Sequence, residues 1–329
     1  MENKERLDKI ISEKYNISRT LAQKYIKSGI VYISIPIKEK IDNEKKIVKI
    51  FRRANQMIST KHIEYIHIRE EENKYRFVSQ GALKLEKAVE EFNINIENKI
   101  ALDMGASTGG FSEVLLLKNA KKVYAIDVGT NQISSKLKKW KNLHIYENTD
   151  IRDVYKIPEI KDEKIDIVVG DLSFISLKLV YDTIIKIFPK ELVLLIKPQF
   201  EIGKAISKTK GIVKDEQLIK TAILEVLKVY LQKYNLKGIT FSPLISPKTN
   251  IEYLVYLTLS EDDTRDVNKV NSIIDEEIIE KKINKIVTKS LNKKQEAKEI
   301  AKQKDRVENI NEDEYEYEND YNFFNNNIE

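Results

Sequence analysis

The glycine-rich segment LDMGASTGGFSE, residues 102–113, constrains the fold more than any other part of the sequence. Apolar residues before the loop are typical of a buried strand, and the residues after it have the pattern of a helix. Gly105, Gly109 and Gly110 lie between the two, where glycine lets the backbone turn tightly and approach a ligand without a clash of a Cβ atom. The segment therefore predicts a strand, a binding loop and a helix in direct succession.

The sequence around this loop alternates strand and helix patterns from about residue 76 to residue 260. Its candidate strands are KIALDMG, KKVYAIDVG, LHIYEN, IDIVVGDLS, ELVLLIKP and EYLVYLTL. Apolar strands separated by helices are typical of a mostly parallel sheet that helices cover on both faces. We therefore predict an α/β fold of Rossmann-like type, in which ligands bind at the carboxyl ends of the strands.

Two further carboxylates follow strands of this sheet at positions suited to an adenosyl group. The loop spacing G-A-S-T-G-G differs from the G-x-G-x-x-G that binds a dinucleotide pyrophosphate. Asp127 ends the next strand, where a carboxylate can accept hydrogen bonds from both hydroxyls of a ribose. Asp150 follows the third strand, where it can accept one from the adenine amine. These features favour S-adenosylmethionine as the cofactor, with predicted contacts at Asp103, Gly105, Ser107, Gly109, Gly110, Phe111, Asp127 and Asp150.

Residues 1–58 are predicted to form a separate small module of two helices and two strands. Apolar residues at helical spacing begin the first helix, Ser18 is a suitable N-cap for the second, and Gly29 ends it. The segments IVYISIPIK and KKIVKIF then alternate as short strands do. Residues 59–75 are polar and aperiodic, and they are predicted to be a linker.

Charge is unevenly distributed along the chain. Lys and Arg outnumber Asp and Glu by 57 to 52, but residues 308–329 hold eight acidic residues and neither Lys nor Arg. Without that segment the formal net charge rises from +5 to +13. A body this basic suits a polyanionic partner such as nucleic acid, although lysines that only keep a surface soluble would give the same charge. Residues 261–329 are predicted to be a charged tail, partly helical or disordered.

The residue types exclude several classes of protein. The chain contains no cysteine and its three histidines are scattered, so neither a disulfide framework nor a metal site is expected. The N-terminus carries charges where a signal peptide would be apolar, and the apolar runs are far shorter than the about 18 residues of a membrane span. We expect a cytoplasmic, monomeric protein without a membrane partner.

Several segments carry a family resemblance that covers about residues 1–260. RLDKII and SRTLAQKYIKSGIVYI resemble the S4 RNA-binding domain, a small α+β fold. VSQGALKLEKA, LDMGASTGGFSEVLL, VYAIDVGTNQI, NTDIRDV, DLSFISL, LLIKPQFE, GKAISKTKGIVKD and SPLISPKTNIEYLVYL resemble, in this order, the TlyA family, also called hemolysin A. The resemblance implies a class I, FtsJ-like methyltransferase that modifies the ribose 2′-hydroxyl of ribosomal RNA, with cytidine as the target. The S4 resemblance implies RNA binding by the basic residues Arg6, Lys9, Arg19, Lys24 and Lys27.

The FtsJ-like pattern also implies a Lys-Asp-Lys-Glu catalytic set. Its members here are Lys84 in GALKLEKA, Asp171 in VVGDLSF, Lys197 in LLIKPQF and Glu252 in TNIEYLV. A ribose hydroxyl is a poor nucleophile, so the enzyme must align it with the methyl group and accept its proton. A lysine accepts a proton only when burial or a neighbouring cation depresses its pKa.

Each member of the set has an expected role. Lys197 ends the very apolar strand LVLLI and is the candidate base, with Lys84 as a second cation that positions the ribose. Glu252 would orient the lysines, and Asp171 would contact the methionine end of the cofactor as well as Lys197. Taken singly, each of these residues could equally be an ordinary surface charge.

Departures from the family pattern leave one other function open, and the family name hemolysin A leaves a second. VSQGA stands where the family has VSRGG, and SIP (residues 34–36) stands where S4 domains have a V-N-G turn. An RNA-binding protein with a degenerate methyltransferase domain is therefore one alternative. A membrane-active hemolysin is the other, for which the highly charged segment 273–296 is the only amphipathic candidate.

The lysines of KTKGIVKD are predicted to contact RNA phosphates, namely Lys208, Lys210 and Lys214.

Overall fold

The computed structural model describes residues 4–36, 46–68, 77–203, 211–260 and 273–310. The chain divides into two compact units between residues 76 and 77, and the second unit runs from Phe77 to Val307. Each unit has its own cluster of buried apolar side chains.

The N-terminal unit consists of two helices and two small antiparallel sheets. Its elements are β1 (Lys4–Arg6), α1 (Leu7–Lys14), α2 (Arg19–Ser28), β2 (Val31–Pro36), β3 (Lys46–Ile50), β4 (Met57–Ser59) and β5 (Ile66–Ile68). β1 pairs with β4, and β2 lies between β3 and β5. The Ser18 side chain accepts a hydrogen bond from Leu21 N at 3.2 Å, and Gly29 ends α2 with a φ of 76°. Both ends of α2 thus lie where the sequence predicts them.

The predicted linker at 59–75 needs correction over its first ten residues. Ser59 ends β4, a 3₁₀ helix spans Thr60–Tyr65, and β5 pairs antiparallel with β2. Ile66 is fully buried in the core of this unit. A three-residue strand is too short to show a periodic pattern, which is why this segment looks aperiodic in the sequence. The remainder of the predicted linker lies outside the described residues.

A buried carboxylate connects the two helices of this unit. Asp8 in α1 has no exposed side-chain surface. Its oxygens accept hydrogen bonds from Arg6 at 2.9 Å, from Arg19 at 3.2 Å and from Gln23 at 2.8 Å. Hydrogen bonding from the Arg6 guanidinium, which outweighs the effect of burial, holds the pKa of Asp8 well below its ordinary range. Both arginines that are predicted to bind RNA, Arg6 and Arg19, therefore also stabilise the fold.

We expect Asp8→Asn to destabilise the N-terminal unit by about 2–3 kcal/mol, since a hydrogen bond to a charged group contributes about 1.5–3 kcal/mol. Because folding lowers the pKa of Asp8 from its ordinary 3.8, this stabilisation is complete above that pH and is lost as the pH falls below it. Hydrogen exchange of the α1 and α2 amides measures the loss, with Glu13→Gln as the control because that carboxylate on α1 is 63% exposed. Equal protection of the two variants at pH 7 would contradict this role.

The second unit is built around one seven-stranded sheet. Its elements are α3 (Ala82–Glu91), β6 (Ile100–Met104), α4 (Gly110–Leu117), β7 (Lys122–Ile126), β8 (Leu143–Tyr146), α5 (Pro158–Lys161), β9 (Ile167–Gly170), α6 (Tyr181–Ile187), β10 (Glu191–Ile196), α7 (Pro198–Glu201), α8 (Glu216–Tyr230), β11 (Tyr234–Phe241), β12 (Tyr253–Leu259) and α9 (Ile273–Ile310). The strand order is β11-β12-β10-β9-β6-β7-β8. The run from β10 to β8 is parallel, and β12 is antiparallel to both of its neighbours. The predicted mostly parallel Rossmann-like sheet is confirmed.

Alternate residues of the central strands face two separate apolar layers. In β10, Leu192 and Leu194 pack in a cluster with side chains of α6 and α8. Val193 and Leu195 of the same strand pack in a second cluster with side chains of α3 and α4. Helices therefore cover both faces of the sheet, which is why its strands are apolar throughout rather than alternating.

All six predicted strands of this sheet are present, but the sequence analysis missed β11. This edge strand is half-exposed and contains polar residues, and its pairing register with β12 shifts between Leu236 and Gly238. A Cβ atom at Gly238 would lie 2.4 Å from a ring carbon of Phe92, so the close approach of α3 requires glycine there. An interrupted, half-polar strand shows neither an apolar run nor a regular alternation.

Part of the predicted charged tail belongs to the second unit. α9 buries Ile283 and Val287 in the apolar layer that contains α8. Ser290 Oγ lies 2.8 Å from the hydroxyl of Tyr253, so the helix also contacts β12. Within the amphipathic segment 273–296, the apolar side chains from Ile279 to Leu291 thus pack inside the protein, whereas Ile278 is exposed. Among the described residues no helix is long and apolar enough to cross a membrane.

Candidate active site

The ends of three neighbouring strands bring charged residues to one edge of the sheet. Asp171 directly follows β9 and Lys197 directly follows β10, and these parallel strands end side by side. β12 runs antiparallel to β10 with Tyr253 paired to Ile196, so Glu252 precedes β12 at the same edge. Three members of the predicted catalytic set therefore meet because of strand register.

The fourth member, Lys84, reaches this edge from the first turn of α3 and completes an ion cluster. Lys84 Nζ lies 2.9 Å from Asp171 Oδ2 and 2.8 Å from Glu252 Oε2. Lys197 Nζ lies 2.7 Å from Asp171 Oδ1 and 2.7 Å from Ser173 Oγ. Lys84 and Lys197 are only 9% and 7% exposed. The structure thus brings the whole predicted set together, two lysines beside two carboxyl groups, with both lysines nearly shielded from water.

Charges within this cluster stabilise one another against the cost of burial. Burial alone would lower the pKa of Lys84, but its ion pairs with Asp171 and Glu252 raise it above its ordinary value. Burial would likewise raise the pKa of Asp171, but the two lysines together hold it below its ordinary value. At neutral pH Lys84 is therefore a hydrogen-bond donor and Asp171 a carboxylate.

Within the described ranges, no group of three or more His, Cys, Asp or Glu side chains is arranged to hold a metal ion.

The glycine-rich loop lies at the same edge, between β6 and α4. The N–H of Gly105 donates to the carbonyl oxygen of Ile126 at 2.9 Å, which ties the loop to the end of β7. Asp127 follows β7, and its two oxygens accept hydrogen bonds from Ser107 N and Gly129 N, both at 2.7 Å. The half-buried carboxylate is therefore held in one orientation, and each oxygen can still accept a further hydrogen bond.

The start of α4 packs directly against the segment that leads into α3. A Cβ atom at Gly110 would lie 2.3 Å from Ser79 Oγ, so a larger residue would push this segment away. Val78 N donates a hydrogen bond to the Glu113 side chain at 2.6 Å, which holds the same segment from the other side of the turn. Residues 78–82, the VSQGA motif, therefore couple the position of Lys84 to that of the glycine-rich loop.

Three other predicted cofactor residues have different environments. Asp103 is fully buried and accepts a hydrogen bond from a serine hydroxyl of α4, and burial raises its pKa to about 7. Phe111 is 3% exposed and packs in the core beside α3, so its side chain is not available to the cofactor, and the predicted contact could be made only by its backbone. Asp150 is half-buried and pairs with Arg152 at 2.6 Å, and hydrogen bonding from that side chain lowers its pKa to about 2.

The loop after β9 holds two residues that the sequence analysis did not single out. Ser173 accepts a hydrogen bond from Lys197, as described above. Phe174 is 92% exposed and has a φ of 65°, a backbone conformation that a bulky residue rarely adopts. Its ring lies 5.3 Å from that of Phe200 in α7. Both residues belong to the motif DLSFISL. The resemblance of that motif to the family was the sequence feature that could have identified them as site residues.

The five basic residues predicted to bind RNA lie on or beside α1 and α2. All five side chains are exposed, but Arg6 and Arg19 also contact Asp8, and Lys9 forms ion pairs with Glu5 and Glu13. In the second unit Lys214 is exposed just before α8, and the other two predicted lysines of its motif, Lys208 and Lys210, lie outside the described residues.

Comparison with known families and proteins adds to this geometry. Residues 77–259, more than half of the chain, match the model of the FtsJ-like methyltransferase family. Hemolysin A of Brachyspira hyodysenteriae is 37% identical over 265 residues, which cover 77% of this chain and 100% of that protein. The 23S rRNA (cytidine-2′-O)-methyltransferase TlyA of Campylobacter jejuni is 34% identical over 260 residues, which cover 76% of this chain and 98% of that protein.

A solved structure extends the similarity over most of the chain. The structure named "Putative hemolysin from Streptococcus thermophilus" is 28% identical and aligns with a TM-score of 0.59. The alignment covers 91% of this chain and 99% of that one.

Proposed function

This chain belongs to the FtsJ-like methyltransferase family and groups with the TlyA (hemolysin A) proteins, and we propose that it transfers a methyl group from S-adenosylmethionine to a ribose 2′-hydroxyl of ribosomal RNA. The observation that carries this proposal is the buried cluster of Lys84, Asp171, Lys197 and Glu252 beside the glycine-rich loop. A cofactor loop alone would fit many acceptors. A nearly buried lysine beside it suits an acceptor that must lose a proton.

The residues at the loop fit an adenosyl cofactor. Gly109 has a φ of 95°, and a Cβ atom there would lie 2.4 Å from a side-chain carbon of Leu137, so the loop can hold this conformation only with glycine at that position. The Asp127 carboxylate is already oriented by two backbone amides and can accept from the cofactor ribose. When bound, S-adenosylmethionine would supply a methyl group made electrophilic by the positive sulfur.

The two lysines of the cluster have different surroundings, which divides their roles. Lys84 contacts two carboxylates, its pKa is raised, and it therefore remains a donor that can hold the ribose oxygens. Lys197 contacts one carboxylate, which it shares with Lys84, and one neutral hydroxyl. We therefore assign Lys197, in its neutral amine form, as the group that takes the proton of the 2′-hydroxyl, with Asp171 holding both lysine side chains and Glu252 positioning Lys84.

Ribosomal RNA is proposed as the acceptor because TlyA of C. jejuni is named a 23S rRNA (cytidine-2′-O)-methyltransferase, and cytidine is proposed as the target on the same ground. The basic N-terminal unit, with Lys9, Lys24 and Lys27 exposed on its helices, fits an S4-like RNA-binding role. An enzyme with this substrate would act in the cytoplasm, where ribosomal subunits are.

Incubation of the full chain with radiolabelled S-adenosylmethionine and purified 30S and 50S subunits tests the proposal. We expect label in the RNA of at least one subunit, dependent on the protein. Absence of label, together with intact subunit binding and no heat of cofactor binding in isothermal titration, would instead support an RNA-binding protein with a degenerate methyltransferase domain.

We also propose that Phe174 stacks on the base of the target nucleotide, since it is exposed and adjoins Ser173, which contacts Lys197. Because a stacked base contributes about 1–3 kcal/mol, we expect Phe174→Ala to raise the KM for RNA about tenfold with cofactor affinity unchanged. The matched control is Phe188→Ala, since Phe188 is 54% exposed, has a φ of 55° and precedes β10 at the opposite edge of the sheet. The same KM for the two variants would argue against stacking.

A further inference from the structure

Helix α9 packs against the segment that carries Glu252. Ser290 Oγ lies 2.8 Å from the hydroxyl of Tyr253, the residue after Glu252. Lys294, which is 6% exposed, donates a hydrogen bond to the carbonyl oxygen of Thr249. The middle of α9 therefore lies at the same edge of the sheet as the catalytic cluster, although the helix begins beyond residue 259, where the match to the family model ends.

Lysines from two other parts of the unit, α3 and the segment before α8, lie near the lysines of this helix. Lys289 of α9 and Lys87 of α3 are close enough to repel, and that repulsion adds to burial in lowering the pKa of Lys87. Burial lowers the pKa of Lys294, and the charges of Lys298 and Lys214 lower it further. The acidic groups nearby already have partners, since Glu91 lies 3.8 Å from Lys87 and Glu216 lies 2.7 Å from Lys220. Like charges are thus concentrated beside the active site.

The outward face of α9 adds a row of lysines to this concentration. Residues 281–294 contain six lysines and no acidic residue. Lys282, Lys285 and Lys289 are all exposed, and among the described residues none of the three has an ion-pair partner. Their spacing of three and four residues places them on one side of the helix, where like charges repel in the free protein. A polyanion bound along this side would remove that repulsion.

We propose that the exposed lysine row of α9, formed by Lys282, Lys285 and Lys289, binds the phosphate backbone of the RNA whose ribose enters the active site. The proposal rests on RNA being the acceptor. It is favoured by the contacts of the same helix, through Ser290 and Lys294, with the segment that carries Glu252, and by the charge of the row, which is opposite to that of phosphate. The N-terminal unit would then not be the only part of the protein that binds RNA. α9 would hold the backbone next to the reacting nucleotide.

The test is the triple variant Lys282→Gln/Lys285→Gln/Lys289→Gln in the full chain. Its matched control is Lys118→Gln/Lys121→Gln/Lys164→Gln, three exposed lysines at the opposite, amino-terminal edge of the sheet. Dissociation constants for purified 30S and 50S subunits are measured at several salt concentrations, together with methyl transfer kinetics and isothermal titration with S-adenosylmethionine.

We expect the α9 variant to bind subunits about tenfold more weakly and to lower the slope of log K against log salt by about 2–3, because each phosphate contact contributes about 0.7–0.9 to that slope. Its KM for subunits rises while kcat and cofactor affinity are unchanged, and the control behaves as the wild type. Unchanged affinity and slope, with methyl transfer intact, would overturn the lysine row but not the proposed function.

The remaining outcomes distinguish failure of the lysine row from failure of the proposed function. Wild-type protein that binds RNA through α9 but transfers no methyl group would overturn the proposed function and retain the lysine row. Tighter binding by the variant would overturn the row, since it would mean that the lysines are engaged by acidic residues of the chain itself. Wild-type protein that neither binds nor methylates RNA would overturn both.

Discussion

Lys197→Ala is expected to lower the rate of methyl transfer by about 10³-fold, since a positioned general base contributes about 10²–10⁴-fold to such reactions. The variant removes the group that takes the 2′-hydroxyl proton and leaves Asp171 with Lys84 as its remaining ion partner. Single-turnover methyl transfer to ribosomal subunits measures the effect. Cofactor affinity, measured by isothermal titration, should stay within about threefold of wild type, a difference of less than 1 kcal/mol.

Two further variants distinguish the loss of proton transfer from the loss of a positive charge and from a general loss of structure. Lys197→Arg keeps a cation beside Asp171, but a guanidinium stays protonated and cannot act as a base, so we expect it to be as inactive as the alanine variant. Lys190→Ala removes an exposed lysine that precedes β10, at the other end of the strand that leads to Lys197, and should be fully active. Substantial activity of Lys197→Arg would show that Lys197 acts through its charge.

Asp127→Asn is expected to weaken S-adenosylmethionine binding by about 10²-fold, because it replaces charged hydrogen bonds to the cofactor that are worth about 1.5–3 kcal/mol each. The asparagine side chain also carries an NH2 group, which is a donor. It would face the backbone N–H groups of Ser107 and Gly129, which both donate to the Asp127 carboxylate. The dissociation constant from isothermal titration is the readout.

Asp153→Asn is the matched control for Asp127, because Asp153 lies on the surface with 58% of its side chain exposed. It should bind the cofactor as the wild type does. A dissociation constant for Asp127→Asn equal to that of this control would show that the cofactor ribose lies elsewhere, and the assignment of the loop would have to be revised.

The parts of the fold that repeat a strong pattern could be predicted from the sequence. Central strands such as Ile167–Gly170 are fully buried on both faces, so their apolar runs are visible without knowledge of their neighbours. Motif segments likewise identified Lys84 and Glu252, although these residues are 168 positions apart and meet only because α3 packs against the sheet beside the start of β12.

Features that depend on tertiary contacts could not be predicted in this way. β11 is interrupted at Gly238, where Phe92 packs against the backbone, and nothing local to the strand indicates that contact. Asp8 has the pattern of a solvated helix residue until folding surrounds it with two guanidinium groups. Phe111 follows the loop glycines as a cofactor residue would, but the position of α3 buries its side chain. For β11 and Phe111 the decisive partner is distant in sequence, and for Asp8 the second guanidinium group, that of Arg19, comes from the next helix.

The position of the transferred methyl group tests the central claim most directly. After reaction with labelled cofactor, the modified ribosomal RNA is digested to nucleosides, and a substrate with a single 2′-deoxycytidine at the mapped site is assayed in parallel. The mechanism assigned to the Lys84–Asp171–Lys197–Glu252 cluster predicts label in 2′-O-methylcytidine and no transfer to the deoxy substrate. Label in a base-methylated nucleoside, or transfer that persists on the deoxy substrate, would contradict it.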